Sequence, residues 1–243
     1  MTIDNLVYTI GKDENTGEPI YGKLSPNLLI TGGTATGKTT IICNIVEELI
    51  SKNSPKELQL IIVDTKGCCL DQFYNAPHLA QPATKDIVSF KEVLDYLTKE
   101  VNARYELLKK SKCKSAQNYN QKHPDKMPPI IVVIDEIADI MISIDSIESE
   151  LVRFFQRYQR ASDVHFIIGA TTSGTPEKWL TPLMMSCLGM NKIILYSYYA
   201  PKTHKMLFPD IYDKLVLNDP GERKGYYFDE YAIEKLKKFK FEL

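Results

Sequence analysis

The feature that most constrains this chain is a glycine-rich loop placed between an apolar run and a helical pattern. The apolar run is Leu28–Thr31, and the loop fits the spacing G-x-x-x-x-G-K-[ST] through Gly32, Gly37, Lys38 and Thr39. Glycines let backbone N–H groups point at one anion, and a helix that begins near Lys38 adds the positive end of its dipole there. The pattern predicts a site for the phosphates of ATP, whereas the competing interpretation is a turn that only joins a strand to a helix.

The residue types in this loop predict a division of tasks. Lys38 would reach the β and γ phosphates of ATP, and the Thr39 hydroxyl would hold Mg²⁺. We expect the nucleotide contacts to come from one continuous stretch, namely Gly32, Gly33, Thr34, Ala35, Thr36, Gly37, Lys38, Thr39 and Thr40.

A second chemical landmark is an acidic pair that follows a run of five β-branched residues. The run, Ile130–Ile134, predicts a buried central strand that delivers Asp135 and Glu136 at its C-terminal end. Asp135 would hold Mg²⁺, and Glu136 would orient and polarise the water that attacks the γ-phosphate. An acidic pair at a strand end can also cap a helix. The glycine-rich loop favours the catalytic interpretation.

Apolar runs alternate with helical patterns along most of the chain, which predicts an α/β fold with a mostly parallel central sheet flanked by helices. A small β-rich lead-in, with apolar runs at 6–10 and 20–24, precedes it. The predicted strands are Leu28–Thr31, Leu58–Val63, Ile130–Ile134, Val164–Thr172 and Asn191–Tyr196. The predicted helices are Thr39–Ile50, a long helix from Asp86 through Leu108, and Ser149–Ala161.

Length and composition limit the remaining choices. The 243 residues predict a single domain, 1–243, in which 1–27 is the lead-in, 28–200 the core and 201–243 a C-terminal extension. The net charge of −1 gives no global field for nucleic acid, so any such contact must be local. The five cysteines fit reduced thiols in a cytoplasmic protein. No apolar run is long enough for a transmembrane segment.

Three arginines follow helical spacing on the predicted helix Ser149–Ala161, at Arg153, Arg157 and Arg160. One interpretation is a solvated helix face. The other is that one of them supplies positive charge to the nucleotide of a neighbouring subunit, as an arginine finger. Spacing alone gives the two interpretations equal weight.

Several segments, taken in order, resemble the motor domain of the FtsK/SpoIIIE branch of the FtsK–HerA DNA translocases. The resemblance rests on Asn27–Thr40, Val63–Gly67, Ala76–Leu79, Arg104–Leu108, Ile131–Asp139, Gln159–Ala161 with Val164–His165, and Ala170–Thr171. It implies a RecA-like P-loop NTPase core that assembles as a ring, usually a hexamer, around double-stranded DNA and hydrolyses ATP to move it. Arg160 matches the family's arginine before the sensor strand, which favours the finger interpretation.

The sequence departs from the family pattern in three respects. Thr172-Ser173-Gly174 replaces the usual Gln-Arg-Pro, so the sensor glutamine is missing, and Thr65 replaces a proline, which we expect to be the milder change. The sequence also shows no membrane region, long linker or winged-helix module. This pattern resembles a stripped motor of plasmid, phage or conjugative type, with a membrane-bound or relaxase-type protein as a possible recruiting partner.

The leading functional prediction is therefore an ATP-driven pump for double-stranded DNA. Two alternatives remain at this point: a motor of the same family that moves protein in secretion, and a nucleotide-gated scaffold that does not couple hydrolysis to movement. A small-molecule kinase is weaker, because the chain shows no lid-like arginine cluster.

Overall fold

One mixed β-sheet organises the chain. The computed structural model describes residues 6–157, 159–172, 181–187, 191–195, 205–206, 208–209, 211–215, 223–229, 232 and 236–242, and for 157, 159 and 160 it describes the backbone alone. The strands are β1 (Val7–Asp13), β2 (Pro19–Lys23), β3 (Asn27–Gly32), β4 (Gln59–Val63), β5 (Ile130–Ile134), β6 (Val164–Thr171), β7 (Asn191–Leu195), β8 (Lys224–Asp229) and β9 (Leu236–Lys240). The helices are α1 (Lys38–Lys52), α2 (Phe90–Lys110), α3 (Ala116–Lys122), α4 (Ile137–Ser143), α5 (Ile147–Arg157), α6 (Gln159–Ser162) and α7 (Pro182–Cys187).

The sheet has a parallel half and an antiparallel half. Its order is β2-β1-β9-β8-β7-β3-β6-β5-β4. Strands β7, β3, β6, β5 and β4 pair in parallel, as the alternation of strands and helices predicts. The lead-in and the C-terminal strands add antiparallel pairs at the other side. The predicted α/β class is confirmed, and the sheet is more mixed than expected because β8 and β9 join it to the lead-in.

Side chains on the two faces of the parallel half enter different cores, because alternate residues of a strand point to opposite faces. One face packs against α1 through the buried residues Ile41, Ile42, Ile45, Val46 and Leu49. The other face packs against α2 and α5, with Phe90, Leu97, Leu151 and Phe155 among its buried residues. Among the described helices, none combines the length and the apolarity that crossing a bilayer requires.

Several predicted element boundaries are corrected by local hydrogen bonds or by the tertiary structure. The long helix begins at Phe90 rather than Asp86, because the Asp86 carboxylate accepts hydrogen bonds from the Ser89 N–H and hydroxyl and closes a turn there. The helix predicted at Ser149–Ala161 begins at Ile147 rather than Ser149; residues 147–157 and 159–162 are helical, and residue 158 lies outside the described residues. Residues 1–5, 173–180 and 196–204 lie outside the described residues, and with them Ser173, Gly174 and Tyr196.

The parallel half gathers four strand ends at one edge of the sheet. Parallel strands have their C-terminal ends on the same side, and β3, β6, β5 and β4 are consecutive neighbours. The edge therefore carries the glycine-rich loop after β3, Thr171 at the end of β6, Asp135 after β5 and Asp64 after β4. In open α/β sheets, ligands bind in the crevice outside the C-terminal ends of the strands.

Candidate nucleotide site

The glycine-rich loop turns sharply into α1 at a position that only glycine fills without strain. Gly37 has φ 94°, in the left-handed region, and immediately precedes Lys38, the first residue of α1. A Cβ at Gly37 would also lie 2.7 Å from the ring of Phe241, just after β9. The backbone conformation and the close ring therefore both disfavour a side chain at this position. The loop begins α1 with its first backbone N–H groups at the same edge as the other strand ends, which suits an anionic ligand.

The Lys38 ammonium lies across the glycine-rich loop. It donates to the carbonyl oxygens of Gly32 at 3.1 Å and Gly33 at 2.8 Å. Because an ammonium has three N–H donors, these described contacts leave one donor for a phosphate oxygen. Burial lowers the pKa of Lys38, the negative charge of Glu136 opposes this, and the positive charge of Lys66 adds to it. Glu136 and Lys66 are thus both close enough to Lys38 to act on it electrostatically.

Asp135 is a buried carboxylate with one satisfied and one unsatisfied oxygen. Its side chain accepts hydrogen bonds at Oδ1 from the Thr65 N–H, 2.8 Å, and the Thr65 hydroxyl, 3.0 Å. Oδ2 is buried and has no hydrogen-bond partner among the described residues. The pKa of Asp135 is raised overall, mainly by burial, and the neighbouring Asp64 adds to the rise. The hydrogen bonds from Thr65 and the positive charge of Lys66 oppose it. A buried carboxylate oxygen without a donor fits a divalent cation, so the residue fits the predicted Mg²⁺.

Glu136 is fixed against the end of the neighbouring strand. The side chain is buried, and its carboxylate accepts from the Thr171 N–H at 2.9 and 3.1 Å and from the Thr171 hydroxyl. Thr171 pairs with Gly32 across β6 and β3, and the next residue, Thr172, donates its N–H to Gly32 O at 3.0 Å. The carboxylate expected to orient water is therefore linked through β6 to the glycine-rich loop.

The turn after β4 is folded around a second buried carboxylate, Asp64. It accepts four hydrogen bonds, from Gly67 N at 3.0 Å, Cys69 N at 2.8 Å, Leu70 N at 2.8 Å and Tyr74 OH at 2.7 Å. Burial raises the pKa of Asp64, but these four bonds outweigh it and the net shift is downward. The turn holds Thr65 against Asp135 and carries the exposed Lys66, whose charge acts on Lys38.

A protein-family model and curated sequences identify the kind of domain that carries this site. The model described as the FtsK/SpoIIIE family matches residues 4–127. The chain belongs to the FtsK/SpoIIIE family. The DNA translocase FtsK of Clostridium tetani is 32% identical over 171 residues, which cover 68% of this chain and 23% of that protein. The DNA translocase FtsK of Campylobacter jejuni is 33% identical over 150 residues, which cover 60% of this chain and 16% of that protein. This FtsK/SpoIIIE chain thus spans about a quarter or less of the length of these relatives.

Solved structures share the fold of this FtsK/SpoIIIE chain. EssC (ATPases 2 and 3) from Geobacillus thermodenitrificans superposes with a TM-score of 0.82 at 20% identity, covering 99% of this chain and 45% of that one. The pCW3 conjugation coupling protein TcpA, in a monomer form with ATPγS, gives a TM-score of 0.77 at 21% identity, covering 98% and 67%. The predicted RecA-like P-loop fold is confirmed by these similarities.

The predicted site residues of the FtsK/SpoIIIE chain lie where the sequence places them relative to the strands. Residues 32–40, Asp135 and Glu136 meet at one edge of the sheet, and Thr39 is exposed in the first turn of α1. Arg160 lies in α6, and its side chain, like that of Arg157, is outside the described residues, so its role stays a prediction. Arg153 is exposed on α5.

The structure gives one of the family departures a physical consequence. Thr65 stands where the family usually has a proline, and its N–H donates to Asp135, a hydrogen bond that a proline could not make because it has no N–H. The contact of Phe241 with the loop joins distant parts of the chain, and no local pattern in the sequence predicts it. A usable signal existed for Asp64: like Asp135, it follows directly after a buried apolar strand.

Proposed function

We propose that this chain is a motor ATPase domain that hydrolyses ATP with Mg²⁺ and couples hydrolysis to the movement of double-stranded DNA. The observation that carries the proposal is the meeting of Lys38, Asp135 and Glu136 at one edge of four consecutive parallel strands. Phosphoryl transfer depends on positioning and on charge stabilisation, which are the tasks these groups would perform.

Each group of the site has a defined part in this proposal. The backbone of residues 32–40 binds the triphosphate, and the remaining N–H of Lys38 contacts its β and γ phosphates. The Thr39 hydroxyl and the Asp135 carboxylate would hold Mg²⁺, which when bound would supply positive charge against the phosphates. Glu136 orients the attacking water, and Thr171 positions Glu136 through the hydrogen bonds that it donates.

The DNA part of the proposal draws on the relatives and on the charge of the chain. The curated relatives are named DNA translocases, and the pCW3 protein is named a conjugation coupling protein. A net charge of −1 gives one subunit no overall positive field, so DNA would be gripped by a few groups repeated around a homo-oligomeric ring, a hexamer. Arg160 would act on the nucleotide of the neighbouring subunit. A membrane-bound or relaxase-type protein would recruit a plasmid, phage or conjugative motor of this kind.

The test is ATP turnover with and without linear double-stranded DNA, in the parent, in Glu136→Gln and in the control Glu47→Gln, whose carboxylate is exposed on α1. We expect DNA to stimulate the parent and the control. Glu136→Gln should bind ATP and hydrolyse it about 10²–10⁴-fold more slowly, because the oriented base is lost.

Three outcomes would contradict parts of the proposal. Equal turnover by Glu136→Gln and Glu47→Gln would remove Glu136 from catalysis. Turnover that a secretion-signal peptide stimulates, while DNA does not, would indicate the protein-moving motor. Binding of ATP without any turnover would indicate a nucleotide-gated scaffold.

A further inference from the structure

We propose that Asp64, Cys69 and Asp135 form a binding site for one thiophilic divalent cation, of which Zn²⁺ is the probe. One carboxylate oxygen of each aspartate and the Cys69 Sγ lie within 4.8 Å of one another. The three residues come from the ends of two neighbouring strands, since Asp64 and Cys69 follow β4 and Asp135 follows β5.

The first support is the unsatisfied oxygen of Asp135. The residue is only 7% exposed, and its Oδ2 has no hydrogen-bond partner among the described residues. A buried acceptor without a partner loses its hydration and gains nothing in return. A bound cation would compensate Asp135 Oδ2 for the hydration that it loses on burial.

The second support is the sulfur in the same cluster, which decides the class of cation. Mg²⁺ requires oxygen ligands, and a thiolate selects softer metals such as Zn²⁺. The Cys69 side chain is partly buried, whereas that of Cys68 is exposed, so the two adjacent thiols have different surroundings. The cluster therefore differs from a purely acidic Mg²⁺ site.

The third support is that Asp64 and Cys69 are already tied together. Three of the described hydrogen bonds to Asp64 end on Oδ2, and one of these comes from the Cys69 N–H at 2.8 Å. Oδ1 accepts one described hydrogen bond, from Gly67 N, and therefore keeps a lone pair for a metal. The turn thus holds a carboxylate oxygen and a thiol near each other before any cation binds.

The binding step is a ligand exchange without oxidation or reduction. Zn²⁺ loses waters, the Cys69 thiol releases its proton to solvent, and an S–Zn bond forms beside two carboxylate O–Zn bonds. Zn²⁺ is usually four-coordinate, with a Zn–S distance of about 2.3 Å and Zn–O distances of about 2.0–2.2 Å. Three protein ligands then leave the fourth position for a water.

Sharing Asp135 would make this site inhibitory, a consequence that rests on the proposed function. Zn²⁺ bound through Asp135 would compete with the Mg²⁺ that accompanies ATP. ATP turnover should fall as Zn²⁺ is added and recover when a chelator removes it. The Zn²⁺ sensitivity should be lost in Cys69→Ser, which keeps both carboxylates.

The deciding experiment uses the full chain without nucleotide, so that its outcome is independent of ATPase activity. Zn²⁺ binding is measured by calorimetric titration, and Cd²⁺ binding by the ultraviolet thiolate-to-metal absorbance. Both measurements are made on the parent, on Cys69→Ser and on the matched control Cys68→Ser. We expect one site in the parent and in Cys68→Ser. In Cys69→Ser, the absorbance should be lost and the Kd for Zn²⁺ should rise at least about tenfold.

A second variant, Asp135→Asn, should weaken Zn²⁺ binding while keeping the thiol. Absorbance and affinity that persist in Cys69→Ser, or that are lost in Cys68→Ser, would overturn the proposal. Absence of one-site binding by the parent would overturn it as well. An active ATPase that binds no Zn²⁺ would refute this site alone, whereas Zn²⁺ binding by an inactive chain would refute only the proposed function.

Discussion

The buried carboxylate of Asp64 provides the sharpest test of how the turn beside the nucleotide site is held. In Asp64→Asn, the side-chain amide can turn so that its oxygen still accepts hydrogen bonds from Cys69, Leu70 and Tyr74. Its NH₂ group then faces the Gly67 N–H. One charge-assisted hydrogen bond is then lost, and two donors face each other. A hydrogen bond to a charged group contributes about 1.5–3 kcal/mol. We therefore expect the free energy of unfolding to fall by about 2–4 kcal/mol at neutral pH, since the three remaining bonds also lose their charge.

The pH dependence of this loss follows from the direction of the pKa shift. The pKa of Asp64 is lowered in the folded state, so its stabilisation is complete above the unfolded carboxyl pKa of about 3.9. It is lost as the pH falls through the folded value. The difference between parent and Asp64→Asn should therefore be largest at neutral pH and shrink in acid.

Urea unfolding at several pH values measures this difference. The control is Asp95→Asn, an exposed position on α2, for which we expect a change within about 0.5 kcal/mol. An Asp64→Asn variant as stable as Asp95→Asn would refute the reasoning. So would a parent–variant difference that grows as the pH falls.

Three further predictions concern the close packing of the site, the ring and the DNA. In Gly169→Ala, a Cβ would lie 2.1 Å from the backbone oxygen of Asp135. We therefore expect the free energy of unfolding, measured with heat or urea, to fall by about 1–3 kcal/mol and ATP binding to weaken. An unchanged stability and ATP affinity would refute the close approach. Mixing Arg160→Ala with Glu136→Gln subunits should partly restore ATP turnover, because one mixed interface has both groups intact; no rescue would contradict the role of Arg160 across subunits. DNA affinity should fall steeply with salt and be much tighter with an ATP analogue, with little dependence on base sequence; salt-insensitive binding would contradict a phosphate-gripping ring.

The central part of this structure could be predicted because its signals are local. The β-branched run Ile130–Ile134 and the spacing of Gly37 and Lys38 each identify an element without knowledge of the rest of the fold. Parallel strands then bring their C-terminal ends together, which is why Lys38 and Glu136 could be placed in one site.

The remaining features depend on contacts between distant residues. Thr65 donates to Asp135 across 70 positions, and the packing of Phe241 on Gly37 arises only after β9 has joined the sheet. The start of α2 at Phe90 is a local exception, because it depends on the turn that Asp86 closes with Ser89, three positions later. None of these contacts leaves a periodic pattern in the sequence.

The most direct test of the account is ATP binding at the glycine-rich loop, measured by calorimetry on the parent, on Lys38→Ala and on the control Lys56→Ala, whose side chain is exposed just before β4. Charged hydrogen bonds of about 1.5–3 kcal/mol correspond to a factor of about 10–150 in Kd. The account predicts a loss of affinity in this range or greater for Lys38→Ala and an unchanged affinity for Lys56→Ala. Equal affinity of Lys38→Ala and the parent, or no ATP binding by the parent, would contradict it.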